Sequence, residues 1–192
     1  MKKIMNEAGN IVEEMLKGLE LSDPSLVCFP EKRVIARREK ASKVGLCTAG
    51  GSGHEPAHAG YVGMGMLDAA VAGNIFASPS PDQMLKGIEE ANAGKGVLMI
   101  LKNYTGDLMN FSMAKELAEM EGITVDCVVV KDDVAVPDST YSAGRRGIAG
   151  TVLIHKIAGA RAAKGASLKE VKETAQKAID RIRTMGMSMT AC

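Results

Sequence analysis

The sequence has no tryptophan, and aromatic residues make up only 3% of its 192 positions. That scarcity excludes the aromatic platform on which single-stranded nucleic acid stacks. Nor is there an excess of one charge: 24 lysines and arginines face 23 aspartates and glutamates, a formal net charge of +1. Such a balance offers no broad basic field to nucleic acid or to an anionic membrane. No apolar run approaches the roughly 18 residues of a membrane-spanning helix. The opening "MKKIMNEAGNIVEEML" lacks the apolar centre of a signal peptide. The four cysteines, Cys28, Cys47, Cys127 and Cys192, form no C-x-x-C pair, so neither a zinc ribbon nor a disulfide framework is indicated. The chain therefore reads as a soluble, cytoplasmic protein of a reducing compartment, with no nucleic-acid and no membrane partner.

What is present is alternation. Ile11, Met15 and Leu19 recur at helical spacing. Three short apolar runs follow, "SLVCF", "RVIAR" and "KVGLCT", then "PAHAGYVGMGMLDAA", which the pattern assigns to a helix, and "AGNIFA", a short strand. "SPDQMLKGIEEANAG" carries Ser80 at a cap, Pro81 at the first helical position, Gln83 closing a capping box and Gly94 near the stop. "KGVLMILK" and "TVDCVVV" read as buried strands, and "DLMNFSMAKELAEMEG" as a helix stopped by Gly122. Two more helices close the chain, the second opening with a Ser167-to-Glu170 capping box. The 13 methionines read as core filler. Continuous apolar strands between amphipathic helices predict a three-layer α/β/α fold with a mostly parallel sheet.

Ligands in such folds bind beyond the carboxyl ends of the strands. Three segments follow strands here: "AGGSGHEP", "KNYTGD" and "KDDVAVPDSTYSAGRRG". Their convergence would gather Ser52, His54, Glu55, Lys102, Asp107, Asp132, Asp133, Arg145 and Arg146 into a polar small-molecule site with acid–base capacity. The glycine-rich loop has no phosphate-loop ending G-K-[ST]. It also has Pro56 where a dinucleotide fingerprint needs its third glycine. Its glycines are expected instead to let backbone approach a ligand and to clear space around His54.

Plainer readings stand beside these. His155, within a helix, reads as a core group, and His58 as another. "HEPAH" has the spacing of a zinc motif, but Pro56 opposes a regular helix through the pair, and no metal site is expected. Asp107 has the position of a helix cap. Lys102 has that of a solvated strand end. Arg145 and Arg146 suit a solvated turn or an acidic partner equally.

Together "GGSGHEPAHAGYVG", "ASPSPDQ", "GVLMILKNYTGDLMNF", "DDVAVPDSTYSAGRRGIAGT" and "HKIAGA" resemble, in order and over nearly the whole chain, the substrate-binding subunit of dihydroxyacetone kinase. The resemblance implies an α/β domain that binds dihydroxyacetone, spanning residues 1–185, with 186–192 beginning a second domain absent from this chain. It implies that Gly51, Ser52 and Gly53 line the substrate, that His54 is a hydrogen-bonding catalytic residue, that Lys102 contacts a substrate oxygen, and that Asp107 is the base. It implies no cofactor in this chain: the nucleotide, ADP or ATP with magnesium, belongs to a separate kinase subunit or domain. A phosphocarrier protein of the sugar phosphotransferase system acts on that nucleotide indirectly, and the chain itself pairs as a homodimer. The family's second half carries a histidine that binds the ketone carbon covalently, and that motif does not occur in this sequence. A non-catalytic relative, a dihydroxyacetone-sensing co-activator that contacts a transcription regulator, would carry a similar pocket. A dinucleotide-dependent oxidoreductase is disfavoured by Pro56.

Overall fold

In the computed structural model, residues 4–138, 142–187 and 189 are described. Ser139, Thr140 and Tyr141 of the third loop motif lie outside them. So do Cys192 and most of the segment assigned to a second domain.

Six strands form one sheet in the order β1-β2-β4-β3-β5-β6. Strands β3 (Gly45–Ser52), β4 (Ala69–Ile75), β5 (Val97–Lys102) and β6 (Val125–Val130) run parallel. Strands β1 (Leu26–Phe29) and β2 (Val34–Arg37) add an antiparallel hairpin against β4. The fold is thus a three-layer α/β/α arrangement with a mostly parallel sheet. All six residues of β5 are buried, and their side chains alternate between two cores. Leu98 and Ile100 meet α1 (Ile11–Ser22), α4 (Thr151–Ala163) and α5 (Leu168–Ile179). Val97, Met99 and Leu101 meet α2 (Pro81–Ala91) and α3 (Thr105–Met120). Fully burying one such side chain contributes about 1.5–3 kcal/mol, so the strand that ends in Lys102 is the best-anchored element of the sheet.

Both predicted capping boxes form, at Ser80/Gln83 and Ser167/Glu170. Gly122, past the end of α3, holds a φ of 78°. The helix predicted over "PAHAGYVGMGMLDAA" does not form. Its first part is turn with one 3-10 segment, Ala59–Tyr61, and its last residues open β4. Pro56 removes a helical donor, and Gly60, Gly63 and Gly65 raise the entropic cost of helix. Gly65 in fact takes a left-handed φ of 72°. "AGNIFA" is the end of this longer β4, not a separate strand.

Strand β6, read from sequence as buried, is the sheet's edge and is only half-buried. Its open side is not bare. The Cys127 N–H donates to its neighbour's carboxylate, Asp126 Oδ1, at 2.8 Å, and Lys172 of α5 clamps that carboxylate at 2.7 and 2.9 Å. Among the described residues no helix is long and apolar enough to cross a membrane.

Candidate functional site

Strands β3, β4 and β5 end side by side, at Ser52, Ile75 and Lys102. Beyond them lies a cleft of about 640 Å³ whose lining includes Gly51, His54, Phe76, Ser78, Lys102 and Asp107. It occupies the position that a parallel sheet reserves for ligands.

Asp107 does not cap α3. The N-cap is Tyr104, and Asp107 sits inside the first turn, 4% exposed. Its carboxylate accepts a hydrogen bond from the Ser78 hydroxyl at the end of the β4 loop. Burial pushes the Asp107 pKa up; the Ser78 bond and the Lys102 charge pull the other way without cancelling it. Lys102 is 7% exposed, not a solvated strand end. Burial lowers its pKa, and Asp107 opposes that shift. The two charges sense each other, yet among the described residues Lys102 makes no ion pair within 4.0 Å. An acid–base couple sharing a cleft without being locked together keeps its protons and lone pairs available to a ligand.

His54 stands exposed at the mouth, its ring edge-on to Phe76 with centroids 5.2 Å apart. Burial by its neighbours first, and then the Lys102 charge, lowers its pKa, with Glu55 opposing. The imidazole is therefore uncharged at neutral pH. Phe76 holds a left-handed φ of 55°, a conformation costing about 1–3 kcal/mol for a residue with a side chain. That backbone turns its ring across Gly53: a Cβ there would stand 2.7 Å from the ring. Gly51 serves the same loop, because a Cβ on it would lie 2.7 Å from the Ala77 nitrogen. The glycines thus let the residue 76–78 turn close onto the strand ends. The Gly53 N–H is already bound to the Glu55 carboxylate at 3.0 and 3.1 Å.

The structure brings together Gly51, His54, Lys102 and Asp107. Ser52 turns away: it is 4% exposed, and its hydroxyl donates to the Gly73 carbonyl at 2.8 Å. Gly53 shapes the rim through its packing against Phe76. Of the third loop, Ala143, Arg145 and Gly147 pack by their backbone against the end of β5, and Asp132, Asp133, Arg145 and Arg146 do not line the cleft. Asp132 accepts the backbone N–H groups of Ile148 (2.7 Å) and Gly150 (2.8 Å) at the start of α4. Asp133 holds Arg146 at 2.7 Å. Arg145 lines a shallow groove beside β6. These charges satisfy backbone and one another. Sequence reasoning missed Phe76, Ser78 and Tyr104. "SPSPDQ" was legible as a helix start at Ser80, and the position of Ser78 just after a β4 that ends at Ile75 was the available signal. Among the described residues no group of three or more His, Cys, Asp or Glu side chains could hold a metal ion.

Fold and cleft together define a three-layer α/β domain with a polar cleft flanked by a carboxylate and an amine. The chain belongs to the Dak1 domain family, which matches residues 17–192. It is 56% identical, over its whole length and 59% of the relative's, to the dihydroxyacetone-binding subunit of PTS-dependent dihydroxyacetone kinase 1 from Listeria innocua. It is 43% identical, over 97% of the chain and 57% of the relative, to the DhaKLM operon coactivator DhaQ of Lactococcus lactis. Among solved structures, the dihydroxyacetone kinase of C. freundii in complex with AMP-PNP and Mg2+ superposes with a TM-score of 0.86 at 41% identity. That match covers 93% of this chain and 34% of the other. The chain spans little more than half the length of the two curated relatives.

Proposed function

We propose that the chain is the dihydroxyacetone-binding part of a dihydroxyacetone kinase, a phosphotransferase acting on an alcohol group. One observation carries this reading: Asp107 and Lys102 share a cleft with no ion pair between them, at the strand ends where an open α/β sheet places its ligand. Lys102 donates a hydrogen bond to a substrate oxygen. His54, uncharged, closes the mouth and hydrogen-bonds the triose. Gly51 backs the substrate, while Ser52 and Gly53 hold the loop in shape. As the terminal hydroxyl oxygen forms its bond to phosphorus, the bond from phosphorus to the donor's bridging oxygen would break and the donor, less its phosphoryl group, would depart, while the hydroxyl proton passes to Asp107, whose raised proton affinity suits a base. The remaining work is positioning and charge stabilisation.

The phosphoryl donor, a nucleotide with magnesium, belongs in this proposal to a separate subunit or domain, with a phosphocarrier protein acting on it indirectly. The C. freundii complex with AMP-PNP and Mg2+ supports a nucleotide-dependent reaction in the family. A domain over residues 1–185 with a second beginning at 186–192, a homodimer and a cytoplasmic location complete the proposal. The coactivator's similarity favours a second reading, a dihydroxyacetone sensor without turnover. Phosphotransfer to dihydroxyacetone, assayed with the complete subunit set, decides between them. Formation of dihydroxyacetone phosphate supports the kinase. Triose binding without product, whatever the donor, supports the sensor.

A further inference from the structure

Two histidines that the mechanism does not use lie behind the cleft. His58 is 8% exposed and His155, on α4, is fully buried. All four of their ring nitrogens are buried without a hydrogen-bond partner. Leaving a buried polar atom unpaired is costly, so two whole imidazoles in that state call for an explanation. Their rings meet edge to face with centroids 5.3 Å apart. At that separation the two rings, each turned to present a nitrogen to the other, come within hydrogen-bond reach.

The pair also sits against the site. Gly50, Lys102, His58 and His155 occupy one side of the sheet. A Cβ on Gly50 would stand 3.0 Å from Lys102 Nζ and 3.7 Å from the His58 ring. The absence of a side chain at residue 50 is what lets amine and imidazole approach.

We infer that His58 is a positioning residue for Lys102: its neutral imidazole accepts a hydrogen bond from the Lys102 amine, while His155 accepts from its other nitrogen. The proton count closes without a charged imidazole. A neutral ring has one acceptor and one N–H. Lys102 supplies a donor to the first, and His155 receives the second. Burial, and the adjacent Lys102 charge, hold both histidines in the uncharged form this needs. The titratable groups around the trio are His54 and Glu55 on the glycine loop, Asp107 and Tyr104 at the head of α3, and Tyr61, whose ring lies 6.2 Å from His155. Of these Asp107 alone opposes the burial-driven fall in the Lys102 pKa. The imidazole acceptor would be a second group favouring the ammonium, and would fix where its protons point. The inference rests on the proposed function only in giving Lys102 a substrate to hold.

The test needs no turnover. In the unliganded 192-residue chain, nitrogen-15 NMR of the rings should show His58 and His155 neutral from pH 5.5 to 8. Each should have one protonated nitrogen and one whose shift marks an accepted hydrogen bond. Lys102, followed through its own carbon-13 Cε and nitrogen-15 Nζ shifts, should titrate about one unit lower in His58→Phe than in wild type, a tenfold loss of proton affinity. His58→Gln, which keeps an acceptor, should recover most of it. An imidazolium at either position, free acceptor nitrogens in the wild-type rings, or a Lys102 titration unmoved by His58→Phe would overturn the inference. If His58→Phe fails to fold, the wild-type nitrogen shifts decide alone. Separately, dihydroxyacetone affinity measured by calorimetry on the wild type tests the functional reading, and its failure leaves the ring measurements standing.

Discussion

The hydroxyl of Ser78, from the β4 loop, donates to Oδ1 of Asp107, in the first turn of α3. One carboxylate oxygen is thereby committed. The bond favours the ionised acid and works against the burial that raises its pKa. Ser78→Ala should therefore move the acid limb of the kcat/KM pH profile upward, by about one unit for the loss of a charge-assisted bond. An unmoved limb would remove Asp107 from the role of base.

Asp107→Asn should cut turnover in the complete enzyme by roughly 10²- to 10⁴-fold, the scale of losing a general base. The same change should stabilise the fold. Because the folded-state pKa of Asp107 lies above its unfolded value, the native state binds this proton more tightly. The ionised acid is therefore a burden that sets in above the unfolded pKa and is complete once pH has risen through the folded one. A melting temperature for Asp107→Asn above wild type at pH 7, converging on it toward pH 3, is the expected pattern. A loss of stability at pH 7 would contradict it.

Gly51→Ala and Gly73→Ala should each destabilise by about 1–3 kcal/mol, the usual cost of forcing extra atoms into a packed site. A Cβ at Gly73 would stand 2.1 Å from the Ala77 carbonyl oxygen, and one at Gly51 would stand 2.7 Å from the Ala77 nitrogen. Both press on the turn that carries Phe76 and Ser78, so triose binding should fall with stability. Gly63→Ala, with no neighbour within 4 Å, is the control, expected within about 0.5 kcal/mol of wild type. Urea titrations read all three.

Phe76→Gly separates strain from function. Glycine adopts a φ of 55° without the penalty phenylalanine incurs, and the ring is 65% exposed. The unfolding midpoint should hold or rise, while dihydroxyacetone binding weakens as His54 loses the ring beside it. A lowered midpoint with unchanged binding would make Phe76 a packing residue.

The elements that were legible in the sequence are those whose signal is local. Ser80 with Gln83, and Ser167 with Glu170, announce helices because the capping bonds are made within four residues. Lys102 and Asp107 were legible because strand ends and helix starts are local features too. The helix wrongly assigned across Pro56 to Ala70 has apolar residues enough, but its glycines serve local turns: the Gly63 N–H donates to the Leu67 carbonyl, and Gly65 takes a left-handed φ. Ser78 and Phe76 escaped for a different reason. Their roles depend on β4 ending beside β3 and β5, and no local pattern states which strands are neighbours. Asp132, Asp133 and Arg146 looked like site charges because sequence does not reveal that they pair with each other's loop.

The edge of β6 sets how the sheet meets other molecules. An exposed strand with free N–H groups is a template on which further strands can polymerise. Here Asp126 already occupies the Cys127 N–H, and Lys172 anchors the carboxylate from α5. A second strand arriving at that edge must expel a charged side chain and leave it without its counterion. The anchoring pair is partly open to water, so salt screens it. Shelf life in concentrated solution should therefore depend on ionic strength and on one lysine as much as on the buried core.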